Sequence, residues 1–394
     1  MRFFSVLRRL AAGSILACGL AAATPGQGIA TILETKVICR EVGKYAGPES
    51  IYAINSHGHT TIVKRVTEAD RYLGWGTIVQ LTNHDLIVAF SGDRDTHICP
   101  WGKTQIIRSS DQGKTWSEPR TITNTPLDDR DAGLIQTRTG ALVVSWFTSL
   151  AFTDERWPAE TERYARHAEK VTQEERDEWL GHWVRRSEDG GKTWQKPVRT
   201  VSSSPHGPIQ LRDGRLLYVG KADGKQGITF DQSTDDGRSW TVIAAIAQPV
   251  DLVEPHMVEL PGGRLIALFR RELKDPMQQY VMQSESDDGG KTWSAVHTTG
   301  VLGYPPHVIP LKNGWLVMVY GLRLKPFSER ACVSRDGGKT WDVDHLITLA
   351  DAPGPDMGYP SSVQLEDGSI LTVYYQADHL NEPTCFMSTH WRLN

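Results

Sequence analysis

The chain has 394 residues, of which 39% are hydrophobic and 23% charged, and its formal net charge at pH 7 is −4. That length and apolar content are enough for one large domain or two ordinary ones. A mildly acidic chain lacks the basic surface that nucleic-acid binding requires, so we expect no nucleic-acid partner.

The first 28 residues have the composition of a signal peptide. Three arginines precede an apolar run over residues 10–23, and no acidic residue occurs before Glu34. The run is too short and too rich in Ala and Gly for a membrane span. We therefore predict a secreted or periplasmic protein without a membrane span, with lipid attachment at Cys18 as the alternative to cleavage.

Four cysteines follow that segment, namely Cys39, Cys99, Cys332 and Cys385. Their spacing contains no CxxC pair, so the sequence predicts neither a metal site nor a cofactor. Export would permit disulfides, and four cysteines allow three different pairings.

One eight-residue pattern, Ser-x-Asp-x-Gly-x-Thr-Trp, occurs five times, once with Ser in place of Thr. The copies begin at Ser109, Ser187, Ser233, Ser286 and Ser334. A pattern that recurs at long intervals indicates a repeat architecture. The carboxylate can accept backbone N–H groups across a tight turn, the glycine permits positive φ, and the Trp covers the edge of the sheet. These boxes therefore predict a structural device rather than catalytic residues.

Six predicted β-hairpins share a second pattern, in which a polar turn separates two apolar strands. They cover residues 76–90, 132–146, 206–220, 255–269, 306–320 and 359–375. After each of the first five hairpins come a further strand, a box and another strand, which makes four strands per unit. The sequence thus predicts an all-β fold, a six-bladed propeller of four-stranded antiparallel blades.

The sixth blade needs outer strands from the two ends of the chain. The candidates are residues 35–40, 50–64 and 384–393. The interval between the first two boxes is longer than the others because of an insertion at about residues 151–183, whose Glu, Arg, Ala and Gln content predicts helix. This insertion joins the second and third strands of its blade, so we expect it to be either a wall over the channel or a solvated charged helix.

The boxes lie between the third and fourth strands, so the start of each inner strand lies on the opposite face of the propeller. Polar or aromatic side chains occupy those starts, and we predict that they line a substrate site: Trp75, Asp131, His206, Glu254, His256, His307 and Tyr359. The ends of the second strands and the loops after them add a mostly basic set: Arg94, His97, Arg270, Arg323 and Arg330.

Five boxes in six predicted blades resemble the sialidase superfamily, and the resemblance covers essentially the whole chain after the signal peptide. It implies a tyrosine nucleophile paired with a glutamate, an aspartate acid/base, and three arginines that bind the carboxylate of the substrate. Tyr359, in Gly358-Tyr359-Pro360, matches the nucleophile, and Glu254 matches its partner. Arg270 and Arg330 match the second and third arginines.

Two positions depart from the family pattern. The first arginine of the family falls at Trp75, and Arg94 is the candidate for a partial replacement. The acid/base position falls at His97, with Asp93 or Asp95 as the alternatives if the loop is shifted. Because one arginine is lost, an acidic sugar other than sialic acid is an alternative substrate.

Three hypotheses of function follow. The first is a secreted exo-glycoside hydrolase that removes sialic acid or a related acidic sugar from a glycan. The second is a glycosidase or lyase for uronic-acid glycans, motivated by the histidines around the channel. The third is a carbohydrate-binding propeller without catalysis, motivated by the two departures from the family pattern.

Overall fold

A computed structural model describes residues 28–40, 42–44, 50–54, 60–65, 68–154, 161–223, 227–246 and 251–394, with backbone only for Thr161 and for the parts between 42 and 70. Residues 1–27 of the predicted signal peptide, including Cys18, lie outside the described residues. So do parts of the predicted strand at 50–64 and of the insertion.

The N-terminal strands comprise one long strand and two small two-stranded sheets, in which β2 pairs with β5 and β3 with β4. They are β1 (Ala30–Cys39), β2 (Val42–Lys44), β3 (Ser50–Ile54), β4 (Thr60–Arg65) and β5 (Glu68–Asp70).

Six antiparallel sheets follow one another along the chain, which confirms the six-bladed propeller. The first blade contains β6 (Tyr72–Gln80), β7 (Leu86–Arg94), β8 (Lys103–Ser109) and β9 (Arg120–Thr123). The second contains β10 (Asp128–Gln136), β11 (Leu142–Ser149), β12 (Gly181–Ser187) and β13 (Val198–Thr200). The third has an inner strand in two pieces, β14 (Ser202–Ser203) and β15 (Ile209–Gln210), beside β16 (Leu216–Ala222), β17 (Ile228–Ser233) and β18 (Thr241–Ile246).

The last three blades repeat the arrangement. The fourth contains β19 (Leu252–Glu259), β20 (Leu265–Arg271), β21 (Tyr280–Ser286) and β22 (His297–Leu302). The fifth contains β23 (His307–Pro310), β24 (Leu316–Leu322), β25 (Ser328–Ser334) and β26 (Ile347–Asp351). The sixth contains β27 (Met357–Gln364), β28 (Ile370–Gln376), β29 (Cys385–Leu393) and, from the other end of the chain, β1.

Pairing of β1 with β29 closes the ring, as predicted for residues 35–40 and 384–393. The prediction that residues 50–64 contribute to this blade is wrong, because β3 and β4 pair only with each other among the described strands. Apolar clusters fill the spaces between neighbouring blades; one of them packs Trp391 of β29 and Ile370 of β28 against Val317 of β24.

The boxes form the tight turns predicted for them. In the first box, Ser109 Oγ accepts from Gly113 N at 2.8 Å and donates to Asp111 Oδ1 at 2.8 Å. The same aspartate accepts from Thr115 N at 2.9 Å and from Thr115 Oγ1 at 2.6 Å, while Trp116 Nε1 donates to Gly113 O at 3.1 Å. Gly113 has a φ of +85°, a conformation that favours glycine. The box thus closes on itself, far from the channel mouth.

The insertion is helical, as predicted. It contains a short 3₁₀ turn (Ala151–Thr153), α1 (Thr161–Lys170) and α2 (Gln173–Trp179), and Thr172 and Glu175 form a capping box that starts α2. Tyr164 of α1 is buried, its ring packs edge-on against Trp101 at 5.2 Å, and its hydroxyl lies 3.3 Å from Thr96 Oγ1. Tyr164 therefore docks α1 on the loop of the first blade, while the other side chains of α1 that the structure describes are exposed or half-buried. Whether the insertion borders the substrate stays a prediction.

Because β1 and β29 close the ring, we expect the packing of the sixth blade to contribute to the free energy of unfolding. Trp391 is fully buried, and its Nε1 donates to Thr372 Oγ1 at 2.9 Å. Replacing Trp391 by Ala should lower the free energy of unfolding by about 3–5 kcal/mol, because a large cavity is left between two blades. Leu380→Ala is the control, since that side chain is 61% exposed and its loss should change stability by less than about 0.5 kcal/mol. Chemical denaturation measures both, and equal midpoints for the two variants would contradict this role of the closing blade.

Candidate functional site

The inner strands of four blades carry a non-glycine residue in the left-handed backbone region. They are Trp75, Asp131, Glu254 and Tyr359, with φ values of 52°, 56°, 49° and 51°. Each lies at an interruption of the pairing between the first and second strands of its blade. Such β-bulges re-aim a side chain, and strained backbone of this kind is concentrated at functional sites.

Tyr359 and Glu254 meet across the channel. The phenol of Tyr359 donates to Glu254 Oε1 at 2.6 Å. Arg270, at the end of the second strand of the Glu254 blade, donates from one terminal nitrogen to both oxygens of that carboxylate, at 3.0 and 2.8 Å. The two side chains come from positions 105 residues apart, and their contact matches the predicted nucleophile pair.

Opposite electrostatic forces act on the two members of this pair. Burial and the adjacent Glu254 charge raise the pKa of Tyr359 well above its usual value. Burial also acts to raise the pKa of Glu254, but the Arg270 charge and the bonds from Tyr359 and Arg270 outweigh it and lower that pKa. The resting pair is therefore a neutral phenol hydrogen-bonded to a carboxylate.

A second guanidinium beside Tyr359 belongs to Arg323, at the end of the corresponding strand of the fifth blade. It lies 5.7 Å from the centre of the Tyr359 ring, and it donates to Met357 O at 2.9 Å and to Tyr375 Oη at 3.0 Å. No carboxylate of the described residues lies within ion-pair distance of it. Arg330, which the resemblance matched to the third arginine, lies on β25 and donates from Nε to Ser328 Oγ at 2.9 Å. The structure thus brings Arg323, rather than Arg330, to the tyrosine.

His97 is buried between the first and second blades and makes two hydrogen bonds. Arg130 donates to Nε2 at 3.2 Å, and Nδ1 lies 3.0 Å from Tyr72 Oη. Because arginine can only donate, Nε2 is the acceptor and Nδ1 carries the proton. Tyr72 in turn donates to Asp356 Oδ1 at 3.0 Å. Both ring nitrogens of His97 are therefore occupied by the wall of the site.

The pKa of His97 lies well below its usual value, first because of burial and then because of the charges of Arg130, Arg323, Arg94 and Arg270. A neutral histidine whose Nε2 accepts from an arginine has no proton to give at that atom. This geometry does not favour His97 as the general acid.

The alternatives in the same loop are held in ion pairs. Asp95 is 2% exposed; it pairs with Arg71, and its other oxygen accepts from Arg163 of α1 at 3.0 Å. Asp93 pairs with Arg71 and with Lys103. These aspartates anchor the loop and the inserted helix to each other.

Arg94, the candidate replacement for the missing arginine, is completely buried. It pairs with the equally buried Asp128 at 2.7 Å and donates to His97 O at 2.8 Å. Its guanidinium lies 4.9 Å from the centre of the Trp75 ring, on which Arg130 also packs at 4.5 Å. Arg94 therefore supports Trp75 from behind, and Arg130 is the guanidinium beside Trp75 that is partly exposed.

The three channel histidines form a group of their own. His256 and His307 stack with ring centres 4.2 Å apart, and His206 packs against both at 5.5 and 4.9 Å. Burial lowers the pKa of each, that of His256 to about 3. They line a second cavity of about 410 Å³, which does not include Glu254 or Tyr359. The predicted single ring is thus divided into the Tyr359–Glu254 pair and a buried histidine stack.

Cys39, Cys99, Cys332 and Cys385 are all buried. No cluster of three or more His, Cys, Asp or Glu among the described residues could hold a metal ion. None of the helices in that part of the chain has the length and apolar content needed to cross a bilayer.

Sequence reasoning missed three residues of the wall. Arg130, Tyr72 and Asp356 form, with His97, a hydrogen-bonded belt that Tyr375 extends to Arg323 by donating to Asp356 at 3.1 Å. Arg130 directly precedes Asp131, and Asp356 lies three residues before Tyr359. Proximity to predicted site residues was the available signal.

A family profile described as a BNR repeat-like domain matches residues 168–372, which is more than half of the chain. The chain belongs to this family.

Curated relatives of this BNR repeat-like protein are named as xyloglucanases. One, Xgh74A of Acetivibrio thermocellus, is 26% identical over 178 residues, which are 38% of this chain and 20% of the relative. Another, from a Paenibacillus species, is 24% identical over 283 residues, which are 61% of this chain and 25% of the relative. The chain thus spans a fifth to a quarter of the length of these relatives.

Solved structures with the same architecture include a Dyadobacter fermentans protein of unknown function, with a TM-score of 0.69 and 21% identity over 93% of this chain and 99% of that one. The Ruminococcus gnavus intramolecular trans-sialidase has a TM-score of 0.58 and 15% identity, over 80% of this chain and 94% of that one. A Fusarium graminearum α-L-arabinofuranosidase has a TM-score of 0.56 and 16% identity, over 91% of this chain and 97% of that one. At these identities the likeness establishes the propeller fold alone.

The buried ion pair between Arg94 and Asp128 indicates a structural role for Arg94 rather than a substrate-binding one, and a stability measurement can test this. Replacing Arg94 by Leu should lower the free energy of unfolding by about 3–5 kcal/mol, because Asp128 is left as an uncompensated buried charge. Arg166→Leu is the matched control, since its exposed pair with Glu162 is worth less than about 1 kcal/mol. Thermal and chemical unfolding measure both. An Arg94→Leu protein with wild-type stability would contradict the structural role.

Proposed function

We propose that this protein is an exo-acting glycoside hydrolase that removes a terminal acidic sugar, sialic acid or a close relative, from a glycan. The observation that carries the proposal is the 2.6 Å hydrogen bond from the Tyr359 phenol to Glu254, inside a wall of guanidinium groups. The fold, the family and the glycosidase names among its relatives support the reaction class.

An anionic substrate explains the charge of the site. No carboxylate of the described residues lies within ion-pair distance of Arg323. Arg270 shares Glu254 with Tyr359 and also lies 3.8 Å from Glu272 Oε1. A carboxylate on the sugar can be bound by both guanidiniums through charge-assisted hydrogen bonds. Because Trp75 stands at the position of the first family arginine, this grip consists of Arg270, which matches the second family arginine, and Arg323, which was not matched to one. Arg130 lies beside Trp75.

A neutral nucleophile suits such a substrate. A carboxylate on the sugar repels an anionic nucleophile, whereas a phenol becomes negative only as its oxygen bonds to the anomeric carbon. The Tyr359 proton passes to Glu254 as that bond forms. Binding of the substrate carboxylate draws Arg270 away from Glu254, which raises the proton affinity of Glu254 at the moment when it must act as the base.

The reaction then has two displacements. In the first, Tyr359 bonds to the anomeric carbon, the glycosidic C–O bond breaks, and the leaving oxygen takes a proton from a general acid. In the second, water attacks the anomeric carbon, a base removes its proton, and Tyr359 leaves and recovers its proton from Glu254. Two inversions retain the anomeric configuration. We also propose that the protein is exported, on the strength of its N-terminal composition.

Removal of the nucleophile tests the proposal. Tyr359→Phe should lower kcat on aryl sialosides or other acidic aryl glycosides by roughly 10³-fold or more, since no covalent intermediate can form. Tyr320→Phe is the control, because that buried hydroxyl has no hydrogen-bond partner among the described residues. A Tyr359→Phe protein that turns over these substrates at the wild-type rate would contradict the mechanism, and binding of acidic glycans without any turnover by the wild type would favour a carbohydrate-binding propeller. Unsaturated products that absorb in the ultraviolet would favour the lyase.

The arginine assignment has its own test. Arg323→Met should raise KM for an acidic aryl glycoside by roughly 10- to 100-fold, the cost of one charged hydrogen-bonding partner. KM for the matching uncharged aryl glycoside should stay the same. Arg330→Met should change neither value if its guanidinium stays within its own blade, as its bond to Ser328 indicates. If Arg330→Met alone raised KM for the acidic aryl glycoside, Arg330 rather than Arg323 would be the arginine that binds the substrate carboxylate.

A further inference from the structure

A cavity of about 570 Å³ opens beside the nucleophile pair, between the second, third and fourth blades. Asp131 and Glu254 form its inner side, and Leu150 and Leu180, at the two ends of the insertion, form part of its rim. Phe147 supplies an aromatic surface. The volume is in the range of small-molecule sites, and Glu254, the hydrogen-bond partner of Tyr359, forms part of the cavity wall.

Three buried polar atoms on this cavity have no hydrogen-bond partner among the described residues. One, His182 Nε2, lies 3.3 Å from Asp223 Oδ2. The other two are Asp131 Oδ1 and Ser204 Oγ, on side chains that are 8% and 3% exposed. Buried polar atoms are almost always satisfied in folded proteins, so such atoms on a cavity wall point to a ligand that supplies the partners. Sugar hydroxyls are both donors and acceptors and fit this requirement.

Asp131 has the protonation that a general acid needs. Burial raises its pKa to about 7, with the Glu254 charge acting in the same direction and Arg130 opposing both. The carboxyl therefore holds a proton in weakly acidic solution and can lose it near neutral pH. By contrast, His97 has no proton on Nε2, and Asp95 pairs with two arginines.

We propose that Asp131 is the general acid/base of the reaction and that the cavity beside it holds the leaving group, a polar sugar residue. The inference rests on the proposed function. In the first displacement, the Asp131 carboxyl proton moves to the glycosidic oxygen as its bond to the anomeric carbon breaks, which leaves an Asp131 carboxylate and a sugar alcohol. In the second, that carboxylate takes a proton from the attacking water. Ser204 binds a hydroxyl of the leaving sugar.

The dependence on the leaving group tests this assignment. A nitrophenolate leaves without protonation, whereas an alkoxide or a sugar needs an acid. Asp131→Asn should therefore lower kcat/KM by less than about tenfold for a nitrophenyl acidic glycoside, but by roughly 10²- to 10⁴-fold for the sugar-linked acidic glycan. In the wild type, kcat/KM for the sugar-linked glycan should fall as pH rises through about 7, where Asp131 loses its proton, and this limb should be absent with the nitrophenyl substrate.

Three further variants complete the experiment. Asp129→Asn is the matched control, because Asp129 is equally buried two residues earlier and satisfies Thr125 instead of lining the cavity. Asp131→Glu keeps a carboxyl group and should retain part of the activity on the sugar-linked glycan. If Asp131→Asn fails to fold in a thermal unfolding check, the Glu variant and the pH limb carry the test. Ser204→Ala should raise KM for the sugar-linked glycan only.

The outcomes separate the two proposals. Equal losses of Asp131→Asn on both substrates, or a leaving-group dependence that appears in His97→Gln instead, would overturn the role of Asp131 while leaving the hydrolase intact. No turnover of either substrate by the wild type would overturn the proposed function itself.

Discussion

The bulged inner strand is the constraint on which the site depends. A regular strand would alternate its side chains between the two faces of each blade, and none would turn across the channel. The left-handed residue at each bulge breaks this alternation in four blades and places Trp75, Asp131, Glu254 and Tyr359 around one space. Each such conformation costs about 1–3 kcal/mol, and the surrounding four-stranded sheets hold it in place. The boxes stabilise the opposite face of the propeller, so the face with the strained bulge residues carries the candidate site.

The second organising feature is an excess of guanidinium groups around a phenol. Arg94 is neutralised by Asp128, and Arg270 is shared with Glu254. Arg323 and Arg130 are held by a belt of hydrogen bonds through Asp356. Burial, together with this positive environment, keeps His97 neutral, and the positive environment keeps Glu254 ionised. The proposed division of roles needs a carboxylate base at Glu254 and a protonated carboxyl group at Asp131, whose pKa burial raises to about 7.

The fold and the residues of the Tyr359–Glu254 contact could be predicted from the sequence because their signals are local. A box or a hairpin turn is a few consecutive residues, and counting them gave the blade number and placed Glu254 and Tyr359 on one face. The rest depends on contacts between blades. Arg94 forms an ion pair with Asp128, whereas Arg323 has no carboxylate within ion-pair distance among the described residues. The spacing of the arginines along the sequence does not reveal this difference. The tautomer of His97 depends on Arg130 from the next blade. The raised pKa of Asp131 depends on its burial at the wall of the 570 Å³ cavity.

The central claim, that Tyr359 attacks the sugar, is tested most directly by trapping the intermediate. An acidic glycosyl fluoride with a second fluorine beside the anomeric carbon slows the second displacement and lets the glycosyl-enzyme accumulate. Mass spectrometry of the digested protein should then find one added sugar on the peptide that contains Tyr359, and none in Tyr359→Phe. A sugar attached to Glu254 or to any other residue would contradict the account.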